Sequence, residues 1–421
     1  MTKVPVEELD QLLTSLIQSG EGISDLLFVT GKPPQVEVYG RLRSAEGVNE
    51  PVLTSARIQG LALTIITNNK LIDDLAKTGS CDCSYALGDV CRFRVNIYRQ
   101  NGNYAMVLRR LQAKIPTMES LKLAPVFHEV IKEKTGLVFV TGGTGSGKTT
   151  TLAALLNEVN QNHEVHIVTL EDPVEFMHPQ LKSTISQREL GKDFYTFPDG
   201  LRAALRQAPK IILVGEIRDR ETMEIALTAG ETGHVVYSTL HTISAGATIN
   251  RILGMFSRDE EQQVRERLSE TLRYIVSQRL IPKVGGGRVL ATELLGSSLR
   301  SREAIVMGEN ETRRLSDIIE AGSTTGWHSF EQSLCKAYEE ELITEESALL
   351  YSVNKSLMRQ RVDNINKRGR ATAQAHSLKM AAGMIVSPPA KPKPAPSTTP
   401  PMLTPKPSAP EAGGNQAKPA A

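Results

Sequence analysis

The sequence predicts an α/β fold in which a mostly parallel sheet is covered by helices on both faces. A glycine-rich loop, GGTGSGKT at Gly142–Thr149, lies between a short apolar strand and a helix. Further short apolar segments alternate along the chain with amphipathic stretches, as expected for parallel strands joined by helices. The composition also changes near residues 111 and 355, so a central α/β region is flanked by two regions of different character.

Residues 1–111 are predicted to form a separate α+β domain. A helix is expected at its start, and the segment CRFRVNIY alternates apolar and polar residues as a half-buried strand does. The predicted elements are a helix at Val6–Ile17 and strands at Leu26–Val29, Val36–Tyr39, Cys91–Tyr98 and Tyr104–Leu111. Residues 112–116 are interpreted as a hinge to the next domain.

Residues 117–354 carry the alternating strands and helices. The strand Gly136–Val140 leads into the glycine-rich loop, and the helix Thr149–Asn160 leaves it. Further strands are predicted at His166–Leu170, Ile211–Gly215, Val235–Thr239 and Val289–Leu294, and further helices at Arg258–Gln278, Ser329–Glu340 and Glu345–Asn354. Continuously apolar strands indicate a sheet that is buried on both faces.

The C-terminal part divides into a basic segment, 355–386, and a tail, 387–421, that holds half of the chain's 22 prolines. Such a tail buries too little apolar surface to offset the entropy of ordering, so it is predicted to be disordered. The basic segment could contact nucleic acid or anionic lipid. A solvated helix end and tether is the favoured interpretation, and no nucleic-acid partner is expected.

The overall composition excludes several classes of protein. A chain of 421 residues with a net charge of +2 can fold two or three domains, and its charge favours no partner. The four cysteines, Cys81, Cys83, Cys91 and Cys335, include no Cys-x-x-Cys pair and are expected to be reduced thiols of a cytoplasmic protein. No apolar run approaches the roughly 18 residues of a membrane span. Any membrane role is therefore expected to come through partners, without direct insertion.

The glycine-rich loop has the spacing Gly-x-x-x-x-Gly-Lys-Thr of a phosphate-binding loop. Its glycines let the backbone N–H groups approach phosphate oxygens, and the following helix directs its positive end at them. Lys148 can reach the β- and γ-phosphates, and the Thr149 hydroxyl can bind Mg²⁺. The predicted nucleotide-binding residues of the loop are Gly142, Gly143, Thr144, Gly145, Ser146, Gly147, Lys148, Thr149 and Thr150. The alternative is a chance glycine-rich turn.

Carboxylates follow two of the predicted strands. EDPVEF at Glu171–Phe176 follows one strand, and Glu216 follows IILVG. Because the carboxyl ends of parallel strands form the ligand crevice, these acids are expected beside the phosphate loop. Gly215 stands where many nucleotide hydrolases have an Mg²⁺-side aspartate, so Glu216 must serve alone or through water. An acidic turn is the alternative for Glu171–Phe176.

Histidines and arginines complete the set of candidates. His234 and His241 bracket one predicted strand, which suggests that they sense the γ-phosphate, although a lone histidine is more often a core residue. Arg92 and Arg94 share one face of a strand and could reach a nucleotide at a domain or subunit boundary as arginine fingers. The alternative for the arginines is a solvated strand face.

Taken together, these motifs resemble the traffic ATPases of the type II secretion E superfamily. The resemblance covers residues 5–355 and includes GGTGSGKTT, EDPVEF, LRQAPKIILVGEIRD and ETGHVVYSTLHT. SDLLFVTGKPP, GRLR and VCRFRVNIYRQNG resemble the PAS-like N-terminal domain of its PilT/PilU-like retraction branch. The retraction signature AIRNLIRE is not recognisable, since Ser301–Glu309 reads SREAIVMGE.

The resemblance implies a PAS-like domain at 1–111 followed by a RecA-like ATPase domain at 117–354. It implies that Glu175 is the general base, that Glu216 is the Walker B glutamate near Mg²⁺, and that His234 and His241 belong to the His box. The implied protein is a homohexameric Mg-ATPase, cytoplasmic and peripheral to the inner membrane. It would act on a pilus platform protein, with a paralogous pilus ATPase as a further partner. Alternatives are a motor of another secretion system, or an accessory nucleotide-binding subunit.

Overall fold

In the computed structural model, the described residues are 3–45, 47–48, 50, 52–88, 90–111 and 114–368. They form two sheets, one of six strands and one of seven, each with its own apolar core. The predicted tail at 387–421 lies outside the described residues, as do residues 369–386 of the basic segment and two residues of the hinge at 112–116. None of the described helices is long and apolar enough to cross a membrane.

The N-terminal region forms the six-stranded sheet. Its elements are α1 (Val6–Gln18), β1 (Ile23–Val29), β2 (Gln35–Val38), β3 (Arg41–Ser44), α2 (Ser55–Ile65), α3 (Asn69–Thr78), β4 (Ser80–Leu87), β5 (Cys91–Gln100) and β6 (Asn103–Arg110). The strand order is β3-β2-β1-β6-β5-β4, and every neighbouring pair is antiparallel. The four predicted strands are confirmed as β1, β2, β5 and β6, although β2 and β6 each end one residue earlier than predicted, at Val38 and Arg110. The sequence reading missed β3 and β4.

The alternation along β5 decides which face of this sheet is buried. Phe93, Val95 and Ile97 are fully buried and belong to the apolar core formed with the helices. The residues between them lie on the opposite face, because successive side chains of a strand point to opposite sides. Arg92 and Arg94 therefore share that opposite face, which faces the second region of the chain.

The second region contains the seven-stranded sheet and most of the helices. Its elements are α4 (Phe127–Val130), β7 (Gly136–Thr141), α5 (Lys148–Asn162), β8 (His166–Glu171), β9 (Thr184–Glu189), α6 (Phe197–Ala204), β10 (Ile211–Val214), α7 (Arg220–Glu231), β11 (Val235–Leu240), α8 (Ala245–Leu253), α9 (Glu261–Thr271), β12 (Leu272–Pro282), β13 (Arg288–Gly296), α10 (Leu299–Met307), α11 (Leu315–Ala321), a 3₁₀ helix (Gly322–Thr325), α12 (Phe330–Glu339) and α13 (Glu345–Tyr351).

The order of this sheet is β13-β12-β7-β11-β10-β8-β9. All neighbours are parallel except β12 and β13. Every residue of β7, β10 and β11 is buried, as predicted for strands covered on both faces. The parallel pairing places the carboxyl ends of β7, β8, β10 and β11 along one edge, where the loops that follow them meet.

One predicted helix of this region is wrong in its extent, and one predicted strand runs antiparallel to its neighbour. The helix expected at Arg258–Gln278 ends at Thr271, and the chain continues as β12 because its apolar residues pair with β7 on one side and β13 on the other. The strand at Val289–Leu294 exists within β13 but is antiparallel. The connection from β12 is a short turn containing Gly285–Gly287, and a parallel connection would need a crossover of a dozen residues or more.

The ordered fold continues past residue 354, where the sequence reading placed the end of the central domain. Residues 355–368 are helical. Met358 and Val362 are buried with Phe330 and Leu334 in a third apolar cluster. Arg361 also pairs with Glu320 of α11 at 2.9 Å. The first part of the basic segment therefore packs against α12 and α13 instead of being a solvated helix end.

The single tryptophan, Trp327, packs against two glycines. It is 8% exposed, and a Cβ atom added at Gly296 would lie 2.5 Å from the indole ring. A Cβ atom at Gly322 would also collide with the ring, although the backbone of Gly322 (φ −81°) suits any residue. The requirement for glycine at position 322 is therefore one of space alone.

We expect Gly322→Ala to lower the free energy of unfolding by about 1–3 kcal/mol, because an extra methyl group overpacks this contact. Thermal unfolding followed by the fluorescence of Trp327 checks it. Ser323→Ala, at an exposed position of the same 3₁₀ helix, is the matched control and should change stability by no more than about 0.5 kcal/mol. Equal stability of Gly322→Ala and the wild type would contradict the packing described.

Candidate nucleotide site

The glycine-rich loop Gly142–Thr149 joins the carboxyl end of β7 to the start of α5. Gly142, Gly145 and Gly147 have φ angles of +148°, +76° and +92°, which side-chain-bearing residues rarely adopt. A Cβ atom at Gly143 or Gly145 would meet no atom within 4 Å, so the outer side of the loop is open. The sequence therefore folds here into a backbone cradle with room for a ligand.

The inner side of the same loop is closely packed. A Cβ atom at Gly142 would lie 2.6 Å from the carbonyl oxygen of Gln278 in β12. The Ser146 hydroxyl is buried and has no hydrogen-bond partner among the described residues. Open glycines, an unpaired hydroxyl and the positive end of α5 together suit the oxygens of a phosphate chain.

Lys148 supplies the positive charge of the loop. Its Nζ atom donates to the carbonyl oxygens of Gly142, at 3.0 Å, and Gly143, at 3.1 Å. Partial burial lowers the pKa of Lys148, while the nearby carboxylates of Glu216 and Glu175 act to raise it. The ammonium thus lies between the loop and both acids.

Glu175 is reached by the irregular segment that follows β8. Burial raises the pKa of its carboxyl, and three groups oppose that rise: a hydrogen bond from the Thr149 hydroxyl and the charges of Arg94 and Lys148. Glu175 therefore lies against the predicted Mg²⁺ ligand Thr149. A half-buried carboxylate with a raised pKa is suited to accept a proton.

Glu216 follows β10 on the other side of Lys148. One of its oxygens lies 2.5 Å from Nη2 of Arg218, and the other lies 3.6 Å from Nε2 of His241. The preceding residue is glycine for a spatial reason, since a Cβ atom at Gly215 would lie 3.1 Å from the carbonyl oxygen of Leu170. The aspartate found here in many nucleotide hydrolases would crowd the end of β8.

The two predicted histidines lie at opposite ends of β11. His241 follows its carboxyl end, where burial and the charge of Lys148 lower its pKa and favour the neutral ring. His234 precedes its amino end: its carbonyl accepts from Gly136 N–H at the start of β7, and its ring contacts the carbonyl of Ala229 at 3.2 Å. The six residues of β11 separate them by roughly 20 Å. Within this chain the two rings therefore cannot contact the same phosphate group, and the γ-phosphate-sensing role of each histidine stays a prediction.

The two predicted arginines also differ. Arg92 does not point at the loop. It pairs with Glu189 at 3.0 Å and donates to the carbonyl oxygen of Val174 at 2.7 Å. Arg94 is exposed, and its charge acts on Asp172 and Glu175. Arg94 remains a candidate nucleotide contact, whereas the guanidinium of Arg92 is committed to other partners.

Two buried acids lie beside the site: Glu171, which the sequence analysis expected there, and Glu189, which it missed. Glu171 accepts from Thr169 Oγ1 at 2.7 Å and from Gln187 Nε2 at 3.1 Å, and burial raises its pKa to about 7. Glu189, in β9, is 5% exposed. Glu189 was overlooked because β9 was not recognised as a strand: its segment TISQRE is polar enough to resemble a loop.

Comparison with known proteins finds relatives over most of the chain. Residues 80–385 match the family model described as Type II/IV secretion system protein. The type IV pilus retraction ATPase PilT of Pseudomonas aeruginosa is 42% identical over 328 residues, covering 78% of this chain and 94% of PilT. The type IV pilus ATPase PilU of the same organism is 35% identical over 346 residues, covering 82% and 88%.

The fold is also similar to that of a solved relative. A crystal structure of the pilus retraction motor PilT with bound ADP superimposes with a TM-score of 0.76 and 38% identity, covering 85% of this chain and 100% of that one. The family model spans more than half of the chain, and a relative above 30% identity is covered almost completely. This chain therefore belongs to the Type II/IV secretion system protein family.

Proposed function

We propose that this chain is an ATPase of the hexameric traffic-motor type that powers type IV pilus retraction, and hence twitching motility. The observation that carries the proposal is the convergence of Lys148, Thr149, Glu175, Glu216 and His241 on one sheet edge. Similarity to PilT, a retraction ATPase, supports the same function.

Each residue has a distinct task in the proposed reaction. The backbone of Gly142–Gly147 and the ammonium of Lys148 bind the phosphates. Glu175 accepts a proton from the attacking water, a task helped by the raised pKa of its half-buried carboxyl. Burial and the charge of Lys148 lower the pKa of His241, which lies 3.6 Å from Glu216 and is a candidate to sense the γ-phosphate, and Arg94 is a candidate to contact the γ-phosphate from the N-terminal domain.

The same residues fit a magnesium ion. The Thr149 hydroxyl would be a direct ligand, and Glu216 would hold the ion partly through water, because hydroxyl and carboxylate oxygens are the donors that Mg²⁺ prefers. When bound, the ion neutralises charge on the phosphate oxygens.

The proposed motor has a PAS-like domain at 1–111, a hinge at 112–116 and a RecA-like domain at 117–354. The basic segment at 355–386 and the Pro-rich tail at 387–421 follow in the sequence. We propose that it forms a homohexamer and works at the cytoplasmic face of the inner membrane. There it would transmit changes in the angle between its domains to a pilus platform protein.

An accessory role beside a paralogous pilus ATPase is the second candidate. It is favoured by α10, where SREAIVMGE stands in place of the signature that the retraction branch carries. The similarity to PilU is compatible with either role.

We expect Lys148→Ala and Glu175→Ala both to abolish ATPase turnover, but for different reasons. Loss of the ammonium should weaken ADP binding by about tenfold or more, whereas loss of the base should lower kcat by about 100-fold or more with ADP affinity unchanged. Calorimetric titration with ADP and phosphate-release assays measure the two effects. Glu164→Ala, an exposed acid outside the site, is the control. An active Glu175→Ala enzyme would overturn the role of Glu175.

We expect deletion of the gene in its native cell to leave surface pili in excess and to abolish twitching motility, because retraction returns pilin subunits to the membrane. Counting pili by electron microscopy and scoring twitching zones check this. Complementation with the wild-type chain should restore both, and complementation with Lys148→Ala should restore neither. Loss of surface pili on deletion would mean that the motor drives assembly instead.

A further inference from the structure

The N-terminal region and the second region meet through a buried ion pair. Nη2 of Arg92, in β5, lies 3.0 Å from Oε2 of Glu189, at the end of β9. The two side chains are only 16% and 7% exposed. The Ser84 hydroxyl of β4 also donates to Glu189 and accepts from Nη2 of Arg92 at 3.2 Å. Burying such a pair contributes little net stability, so a role in fixing geometry is the more informative interpretation.

The Arg92–Glu189 pair also binds the backbone N–H and the backbone carbonyl of Val174. Val174 N–H donates to Oε2 of Glu189 at 3.2 Å, and the Val174 carbonyl oxygen accepts from Nη1 of Arg92 at 2.7 Å. Val174 directly precedes Glu175, the proposed general base. The guanidinium of Arg92 therefore spans two acceptors at once, one on β9 and one on the segment that carries Glu175.

These contacts to Val174 matter because the segment that carries Glu175 has no regular secondary structure. Residues 172–178 are neither helix nor strand, so side chains fix their backbone. Gln187 of β9 holds the far end, donating to the carbonyl oxygen of Phe176 at 2.8 Å and accepting from His178 N–H at 2.8 Å. Those two contacts lie within the second region. The contact through Arg92, by contrast, connects the segment to the N-terminal region.

We propose that the Arg92–Glu189 pair couples the position of the N-terminal region to the position of Glu175. A shift of β5 relative to β9 moves the guanidinium away from the Val174 carbonyl oxygen or from Glu189, and Val174 then loses a contact that holds Glu175 in place. Arg92 and Glu189 are positioning residues in this account, and Arg92 is not a nucleotide ligand. The proposal rests on the proposed ATPase function.

Two conservative substitutions test the coupling. Arg92→Lys keeps the charge, but one ammonium cannot reproduce the fork that reaches Val174 and Glu189 together. Glu189→Gln keeps an acceptor oxygen for Val174 and removes the charge. Both should lower kcat by about tenfold or more, since small misplacements of a reacting group are costly, while affinity for ADP stays within about threefold. Arg99→Lys, at an exposed position of the same strand, should match the wild type.

Hydrogen exchange gives a readout that does not depend on turnover. Both variants weaken the Arg92–Glu189 pair that holds the backbone of Val174, so the peptide containing residues 174–178 should exchange faster in both than in the wild type and in Arg99→Lys. Melting temperatures close to that of the wild type would show that both variants are folded.

The outcomes separate the two proposals. If the wild type and Arg99→Lys hydrolyse ATP but Arg92→Lys and Glu189→Gln keep full kcat and normal exchange, the coupling is overturned and the ATPase function stands. If Arg92→Lys loses affinity for ADP, Arg92 is a direct ligand and the coupling is again overturned. If the wild type releases no phosphate, the proposed function itself fails.

Discussion

The site depends on the parallel pairing of β7 with β11, of β11 with β10 and of β10 with β8. Strands that run in one direction bring their carboxyl ends to one edge, so loops far apart in the chain become neighbours. Glycines make the closest approaches possible: Gly142 lies against β12, and Gly215 lies against the end of β8. A Cβ atom at Gly142 would collide with the Gln278 carbonyl oxygen at 2.6 Å, and one at Gly215 would make a tight contact with the Leu170 carbonyl oxygen at 3.1 Å.

Charge balance follows from that geometry. Lys148 has its pKa lowered by burial and lies near both Glu175 and Glu216, whose charges favour its protonated form. Arg94 and Arg218 supply further positive charge at the two sides, one acting on Glu175 and the other paired with Glu216. Electrostatic interactions are stronger in such a partly dehydrated crevice than in water. The arrangement is suited to a ligand that carries several negative charges.

Much of the fold and of the site could be predicted from the sequence, because the glycine-rich loop and the buried strands have strong local patterns. Lys148, Thr149, Glu175 and Glu216 come together as their positions after strands predicted. The direction of each strand and the pairing of strands distant in the sequence were harder to predict. The sequence of Leu272–Pro282 does not show that this segment pairs with β7, so the first part of it was predicted as the end of a helix. His234 and His241 look alike in the sequence, and only the direction of β11 shows that they lie at opposite ends of that strand. The partners of Arg92 lie on β9, a polar strand whose burial only the folded chain reveals.

The most direct test of the central claim is magnesium-dependent phosphate release by the purified full-length chain. If the loop and the acids form one hydrolytic site, the chain should release phosphate from ATP with Mg²⁺ and should stop when EDTA removes the metal. Release should saturate with increasing ATP, as expected of a defined nucleotide site. Absence of Mg²⁺-dependent release from folded protein that binds ADP would contradict the account, and would leave a nucleotide-binding subunit that supports another motor.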